Sequence, residues 1–221
     1  MSLESQNTDS PETESPKIDN RVRVLILQHP QEKKEPLATV PLLLAKLNNI
    51  QIKIGLSWPN LKKALNEDEV DYSEWAVIYL GTQAEMQKLE PSQDQISILG
   101  AIKKLNQIKG LIVLDGSWRE VKALWWRNPW LLKVSRLILN PKEVSAYSVL
   151  RREPRKQSLS TLEAVALVLS EIEARQDIKV GLDQSLNQLI SEQKKSKSFT
   201  ANGKKPDYRM RRARTSSSRF K

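Results

Sequence analysis

Apolar residues follow two rhythms along this chain. Several short runs are almost continuously apolar or alternate every second residue. They are RVRVLILQ (Arg21–Gln28), IQIKIG (Ile50–Gly55), WAVIYLGT (Trp75–Thr82), GLIVLD (Gly110–Asp115) and VSRLILN (Val134–Asn140). Rich in Val, Ile and Leu, they predict buried strands. Between and after them the apolar positions recur at helical spacing. TVPLLLAKLNN predicts a helix with Thr39 as N-cap and Pro41 in the first turn, where a missing N–H is least costly. LKKALNE, the amphipathic segment QDQISILGAIKKLNQI, and WREVKALWWRNP, which stops near Pro129, predict three more helices. LSTLEAVALVLSEIEAR places Leu162, Val165, Ala166, Leu169 and Ile172 on one side, and LDQSLNQLISEQ follows as a last helix.

Apolar strands separated by amphipathic helices predict an α/β domain, a mostly parallel sheet with helices on both faces. In such sheets ligands bind beyond the carboxyl ends of the strands. Three strands end in residues suited to ligand binding there, namely Gln28-His29-Pro30, Gly81-Thr82 and Asp115-Gly116-Ser117-Trp118. HPQEKKEPLAT and PKEVSAYSVLRREPRKQS are polar loops, and no internal repeat is visible.

Asp115 is the sharpest candidate. A carboxylate directly after Leu-Ile-Val-Leu sits partly desolvated with no adjacent base, the setting of a general base. Gly116 removes a side chain beside it. Ser117 and Glu120 are spaced S-x-x-E ahead of a helix, a capping box, so capping alone explains Ser117. Trp118 is either core packing or a cover for a ligand. Ser160 and Glu163 form a second box. Ahead of it Arg151, Arg152, Arg155 and Lys156 cluster near Tyr147, in a loop leading to a helix N-terminus. Cations beside free N–H groups suit an anion, although surface charge is the ordinary fate of arginine.

Composition narrows the chemistry. There is no Cys and a single histidine, His29, which removes disulfides, cysteine nucleophiles and thiolate zinc sites and argues against any metal centre. No G-x-S-x-G elbow surrounds Ser117, and neither a Walker loop nor G-x-G-x-x-G is present, which argues against a serine hydrolase and the common nucleotide cradles. No apolar run approaches the roughly 20 residues of a membrane span. The first 20 residues carry five acids and one Lys, and resemble neither a secretory signal nor a transit peptide. The expectation is a cytoplasmic protein.

The formal charge of +10 is unevenly placed. Residues 194–221 hold eleven Lys/Arg against one acid, Asp207. The expected organisation is therefore a disordered acidic segment over 1–20, a folded domain over 21–193 and a disordered basic tail over 194–221. Such a tail is attracted to polyanions through counterion release, or merely solubilises the chain.

Taken together, these segments resemble the DTW-domain family, the tRNA-uridine aminocarboxypropyltransferases. The Asp-x-Thr-Trp motif of that family corresponds to Asp115-Gly116-Ser117-Trp118, with Ser in the Thr place. Its N-terminal element matches Gln28, His29, Pro30, Glu32, Pro36, Thr39, Leu42 and Leu43. Its C-terminal element matches Ser145, Tyr147, Leu150, Arg151, Pro154, Leu159, Ser160, Thr161, Glu163, Ala164 and Ala166. The cysteine-rich segment that many members carry ahead of the first element has no counterpart here.

The resemblance implies a SPOUT-like fold with a C-terminal knot. It also implies transfer of the 3-amino-3-carboxypropyl group of S-adenosylmethionine to N3 of a tRNA uridine, releasing methylthioadenosine, without a metal and with no protein partner. On this view Asp115, Ser117 and Trp118 form the catalytic turn. His29, Thr39, Gly81, Thr82, Leu114, Leu139, Ser160 and Thr161 surround the donor, and Tyr147, Arg151, Arg152 and Arg155 hold RNA. A SPOUT-like methyltransferase and a non-catalytic RNA-binding protein of the same fold are the rival readings.

Overall fold

The computed structural model describes residues 16–35, 37–79, 95–141, 145–149 and 159–201. Within them, six strands form one sheet: β1 (Arg23–Gln28), β2 (Ile50–Ile54), β3 (Trp75–Tyr79), β4 (Ile96–Leu99), β5 (Gly110–Asp115) and β6 (Ser135–Leu139). Their order across the sheet is β2-β1-β5-β3-β6-β4. Every neighbouring pair is parallel except β4 with β6, at one edge. The helices are α1 (Val40–Lys46), α2 (Leu61–Leu65), α3 (Trp118–Arg127), α4 (Thr161–Glu173) and α5 (Gln176–Ala201).

The two-residue alternation of the central strands divides the core. Val24 and Ile26 of β1, with Leu111 and Val113 of β5, face one way and pack with Val40 and Leu43 of α1, most of α4 and Ile178, Leu182 and Leu186 of α5. Leu25, Leu27 and Ile112 face the other way and meet Leu61, Ala64 and Leu65 of α2, Trp130, Leu131 and the half-buried Trp125 of α3. Both faces of the sheet are thus covered, which is why β1 and β5 carry no polar residue between their first and last positions.

Residues 95–108 differ from expectation. Ile96, Leu99, Ile102 and Leu105 mimic a helical spacing, but the segment from Ile96 to Leu99 is a strand antiparallel to β6. Two β-branched residues, Ile96 and Ile98, favour the extended chain. Gly100 then turns at φ +136°, so close to Ser135 that a Cβ there would lie 2.8 Å from the Ser135 hydroxyl. Only a short 3-10 turn over Leu105–Gln107 remains helical.

Residues just before Arg21 pack on the fold. Ile18 forms a parallel bridge with Leu47, and Asn20 is buried, its amide donating to the Val22 and Asn49 carbonyls at 2.8 and 3.1 Å. At the other end α5 runs past Gln193 to Ala201. Among the described residues, no helix is long and apolar enough to cross a membrane.

Candidate active site

β1 and β5 are adjacent and parallel, and their last residues, Gln28 and Asp115, stand in register. The chain leaving β1 leads to α1 on one face of the sheet, whereas the chain leaving β5 enters α3, whose Trp125 packs on the other. Where successive connections part in this way, a crevice opens beyond the strand ends. Asp115 stands at its floor, only 5% exposed.

The Asp115 carboxylate is held from two sides. The Gln28 amide donates to Oδ2 at 2.9 Å, and the Thr161 hydroxyl donates to Oδ1 at 2.6 Å. The Asp115 carbonyl accepts the His29 N–H at 2.9 Å, fixing the start of the following loop. Donors on both oxygens fix the plane of the carboxylate.

Gly116 has a φ of +154°, and a Cβ there would meet Glu120 Cβ at 2.9 Å and His29 Cβ at 3.3 Å. The glycine therefore admits the chain's own Glu120 and His29. Ser117 caps α3 as expected: Glu120 Oε2 accepts the Ser117 N–H at 2.6 Å, completing a capping box. The other Glu120 oxygen, Oε1, lies 3.4 Å from His29 Nδ1. That nitrogen is also 3.3 Å from the Gln31 backbone nitrogen. The lone pair on Nδ1 accepts the Gln31 N–H. Trp118, half-buried, is the first residue of α3 at this rim.

α4 reaches the site with its N-terminus. Ser160 caps it, its hydroxyl accepting the Glu163 N–H at 3.3 Å while Glu163 Oε2 accepts the Ser160 N–H at 2.8 Å. Thr39 does not cap α1. Its backbone is in the αR region rather than the extended conformation an N-cap needs, and it makes no side-chain cap bond there. Its hydroxyl instead accepts the Leu162 N–H of α4 at 3.3 Å, in a buried position. Thr39 is thus a structural tie between the β1–α1 loop and α4.

Glu163 does more than cap. Its Oε2 also accepts the Ser145 hydroxyl at 2.7 Å, and its Oε1 accepts the Ala146 N–H at 2.8 Å. It thereby fastens the 3-10 turn Ala146–Val149 to the site helix. Tyr147, expected to stack on RNA, is corrected by this turn. Its ring is buried in the core and its hydroxyl donates to the Leu37 carbonyl at 2.6 Å, so neither face is presented to a base.

The structure brings His29, Thr39, Asp115, Ser117, Trp118, Ser160 and Thr161 to one end of the sheet, with the half-buried Leu114 just inside. Leu139 ends β6, which β3 separates from β5, and pairs with Ile96. Gly81, Thr82, Arg151, Arg152 and Arg155 lie outside the described residues. Gln28, Glu120 and Glu163 were legible as a strand end and capping partners, but their roles as site ties were not. The readable signal for Gln28 was that RVLILQ and GLIVLD are equal runs, each ending in a polar residue.

A buried carboxylate anchored at the ends of two adjacent parallel strands, where their connections part, defines an α/β domain with a strand-end site. The DTW domain model matches residues 8–194, and the chain belongs to that family. It is 29% identical over 168 residues to tRNA-uridine aminocarboxypropyltransferase 2 of Macaca fascicularis, covering 75% of this chain and 53% of that protein. The protein of the same name from Drosophila melanogaster is 26% identical over 177 residues, 77% of this chain and 64% of its own length. That from Mus musculus is 29% identical over 168 residues, again 75% and 53%. The chain therefore spans about half to two thirds of the length of these curated relatives. No solved structure matches.

Proposed function

We propose that this chain transfers the 3-amino-3-carboxypropyl group of S-adenosylmethionine to N3 of a uridine in tRNA, releasing methylthioadenosine. The observation that carries this reading is Asp115: a buried carboxylate fixed by Gln28 and Thr161 at the strand-end crevice of a DTW domain.

The residues present suit the donor. Its ammonium and sulfonium groups are cationic, and Asp115 and Glu120 line the crevice floor and rim. Its carboxylate is anionic, and the N-termini of α3 and α4, with their positive dipole ends, open at the same place. Trp118, Leu114 and Leu139 are assigned to the adenine, and His29, Gly81, Thr82, Ser160 and Thr161 to the rest of the donor. When bound, S-adenosylmethionine supplies an activated carbon beside the sulfonium, which needs no metal.

Asp115 acts as the base. It takes the uracil N3–H proton as the N3–C bond forms, while the electrons of the broken C–S bond leave with methylthioadenosine. Gln28 and Thr161 keep the carboxylate aimed during that step. The same reading includes a SPOUT-like C-terminal knot and a cytoplasmic setting. It assigns tRNA phosphates to Arg151, Arg152, Arg155 and the basic tail beyond 193, flanking a catalytic domain over 21–193 with an acidic segment before it.

The test is direct. The full chain incubated with S-adenosylmethionine and unmodified tRNA is expected to release methylthioadenosine and yield a uridine carrying the aminocarboxypropyl group, seen by mass spectrometry. Asp115→Asn is expected to abolish the product while donor binding persists in calorimetry. Release of S-adenosylhomocysteine in place of methylthioadenosine, or unchanged turnover by Asp115→Asn, overturns the reading.

A further inference from the structure

α3 begins at the rim of the crevice and returns the chain toward β6, and one of its faces is left exposed among the described residues. Arg119, Lys122 and Trp126 recur at spacings of three and four, which places them in one line along the helix. All three are exposed, and Trp126 is 79% exposed, the most exposed large apolar side chain among the described residues. A large ring left in water is costly, and the core does not require it, because Leu124 and Trp125 already bury the inner face of the helix.

The charge around the ring is one-sided. Arg127 is exposed next to it, and Lys133 on the following 3-10 turn is exposed too. Between Trp118 and Arg136 there are five Lys/Arg and one acid, Glu120, which is engaged with the Ser117 N–H and His29. Among the described residues Arg119, Lys122 and Arg127 take part in no ion pair. At 1.5 Å of rise per residue, the stripe carries Trp126 about 12 Å along the axis from Trp118 at the site rim.

We propose that this face of α3 is a track for an unpaired RNA strand, in which Arg119 and Lys122 bind phosphates and Trp126 stacks on a base outside the reaction site. An exposed aromatic ring set in a line of unpaired cations is the combination that single strands use, with stacking for bases and cations for the backbone. A docking protein or second copy would meet the same ring, but the unbalanced positive charge selects a polyanion. The inference rests on the tRNA-modifying reading above and specifies where that substrate lies.

The experiment measures anisotropy of a fluorescein-labelled, unmodified tRNA transcript with the full chain across a salt series. Trp126→Ala is expected to weaken binding roughly 10-fold or more, and Trp126→Phe to restore most of it, whereas Trp126→Leu does not. Arg119→Ala with Lys122→Ala is expected to reduce the slope of log K against log salt by about 1.5. The unfolding midpoint of each variant is expected to match wild type, since these side chains are exposed. Wild-type affinity in Trp126→Ala, or equal binding by the Leu and Phe variants, overturns the track; so does a wild-type dimer that Trp126→Ala dissociates. Those outcomes leave the proposed reaction standing, whereas a wild-type chain that binds no tRNA removes both.

Discussion

The Gln28 amide donates to the Asp115 carboxylate at 2.9 Å across two adjacent parallel strands whose last residues are in register. Neither residue has much water to turn to, being 4% and 5% exposed. A hydrogen bond to a buried charge is among the stronger ones, because losing the donor leaves the charge partly unsatisfied. Gln28→Leu is therefore expected to cost roughly 1.5–3 kcal/mol in urea unfolding. The proposed aminocarboxypropyl transfer should fall with it at a temperature where the variant is fully folded. Unchanged stability would show that other donors satisfy Oδ2.

Thr161 holds the other oxygen from the first turn of α4. Thr161→Val keeps the shape and removes the donor. A positioning role predicts a kcat reduced about 10- to 100-fold. Thr161→Ser, which keeps the hydroxyl, should restore most of the rate. If both variants lose stability equally and neither loses kcat selectively, the hydroxyl serves folding alone.

Much of this arrangement was legible in the sequence because its central elements are locally consistent. RVLILQ and GLIVLD are strands by apolar content alone, and S-x-x-E preceded both site helices. What was not legible depends on partners distant in sequence. Thr39 reads as an N-cap for α1, and only the packing of α4 beside it gives its hydroxyl a better donor in Leu162. Tyr147 reads as a ring in a basic loop, yet Glu163 fixes the turn that carries it so that the ring enters the core. At Ile96–Leu99 the spacing reads as an amphipathic helix, and pairing with β6 makes it a strand instead.

Asp71 gives the fold an acid-side dependence separate from the site. Its carboxylate accepts the Ser73 hydroxyl at 2.7 Å and the Ser73 N–H at 2.8 Å. These bonds, the hydroxyl's first, hold its pKa below the ordinary carboxyl value. A depressed folded pKa adds stability above the unfolded value and loses it as the pH falls through the folded one. Unfolding midpoints of wild type and Asp71→Ala are thus expected to differ at pH 6, to start converging below the ordinary carboxyl value of 3.8 and to meet only below the lowered folded value. A gap that persists at low pH would mean that Asp71 acts without its charge.

Glu163 connects the proposed reaction centre to the 145–149 turn. One carboxylate receives the Ser160 N–H, the Ser145 hydroxyl and the Ala146 N–H. Glu163→Ala removes the far half of the capping box and the anchor of the 145–149 turn together. Loss of the cap alone costs about 1 kcal/mol, and loss of bonds to the charged group adds to it, so a total of roughly 2–4 kcal/mol is expected. Amide exchange distinguishes the two contributions. Faster exchange at Ala146 and Tyr147 as well as at Ser160 marks release of the turn, whereas faster exchange at Ser160 alone marks fraying of α4. Glu163→Gln keeps a carbonyl acceptor but loses the charge, and it should fall between wild type and alanine. If the glutamine variant equals wild type in stability and exchange, the carboxylate's charge contributes nothing and Glu163 is a cap only.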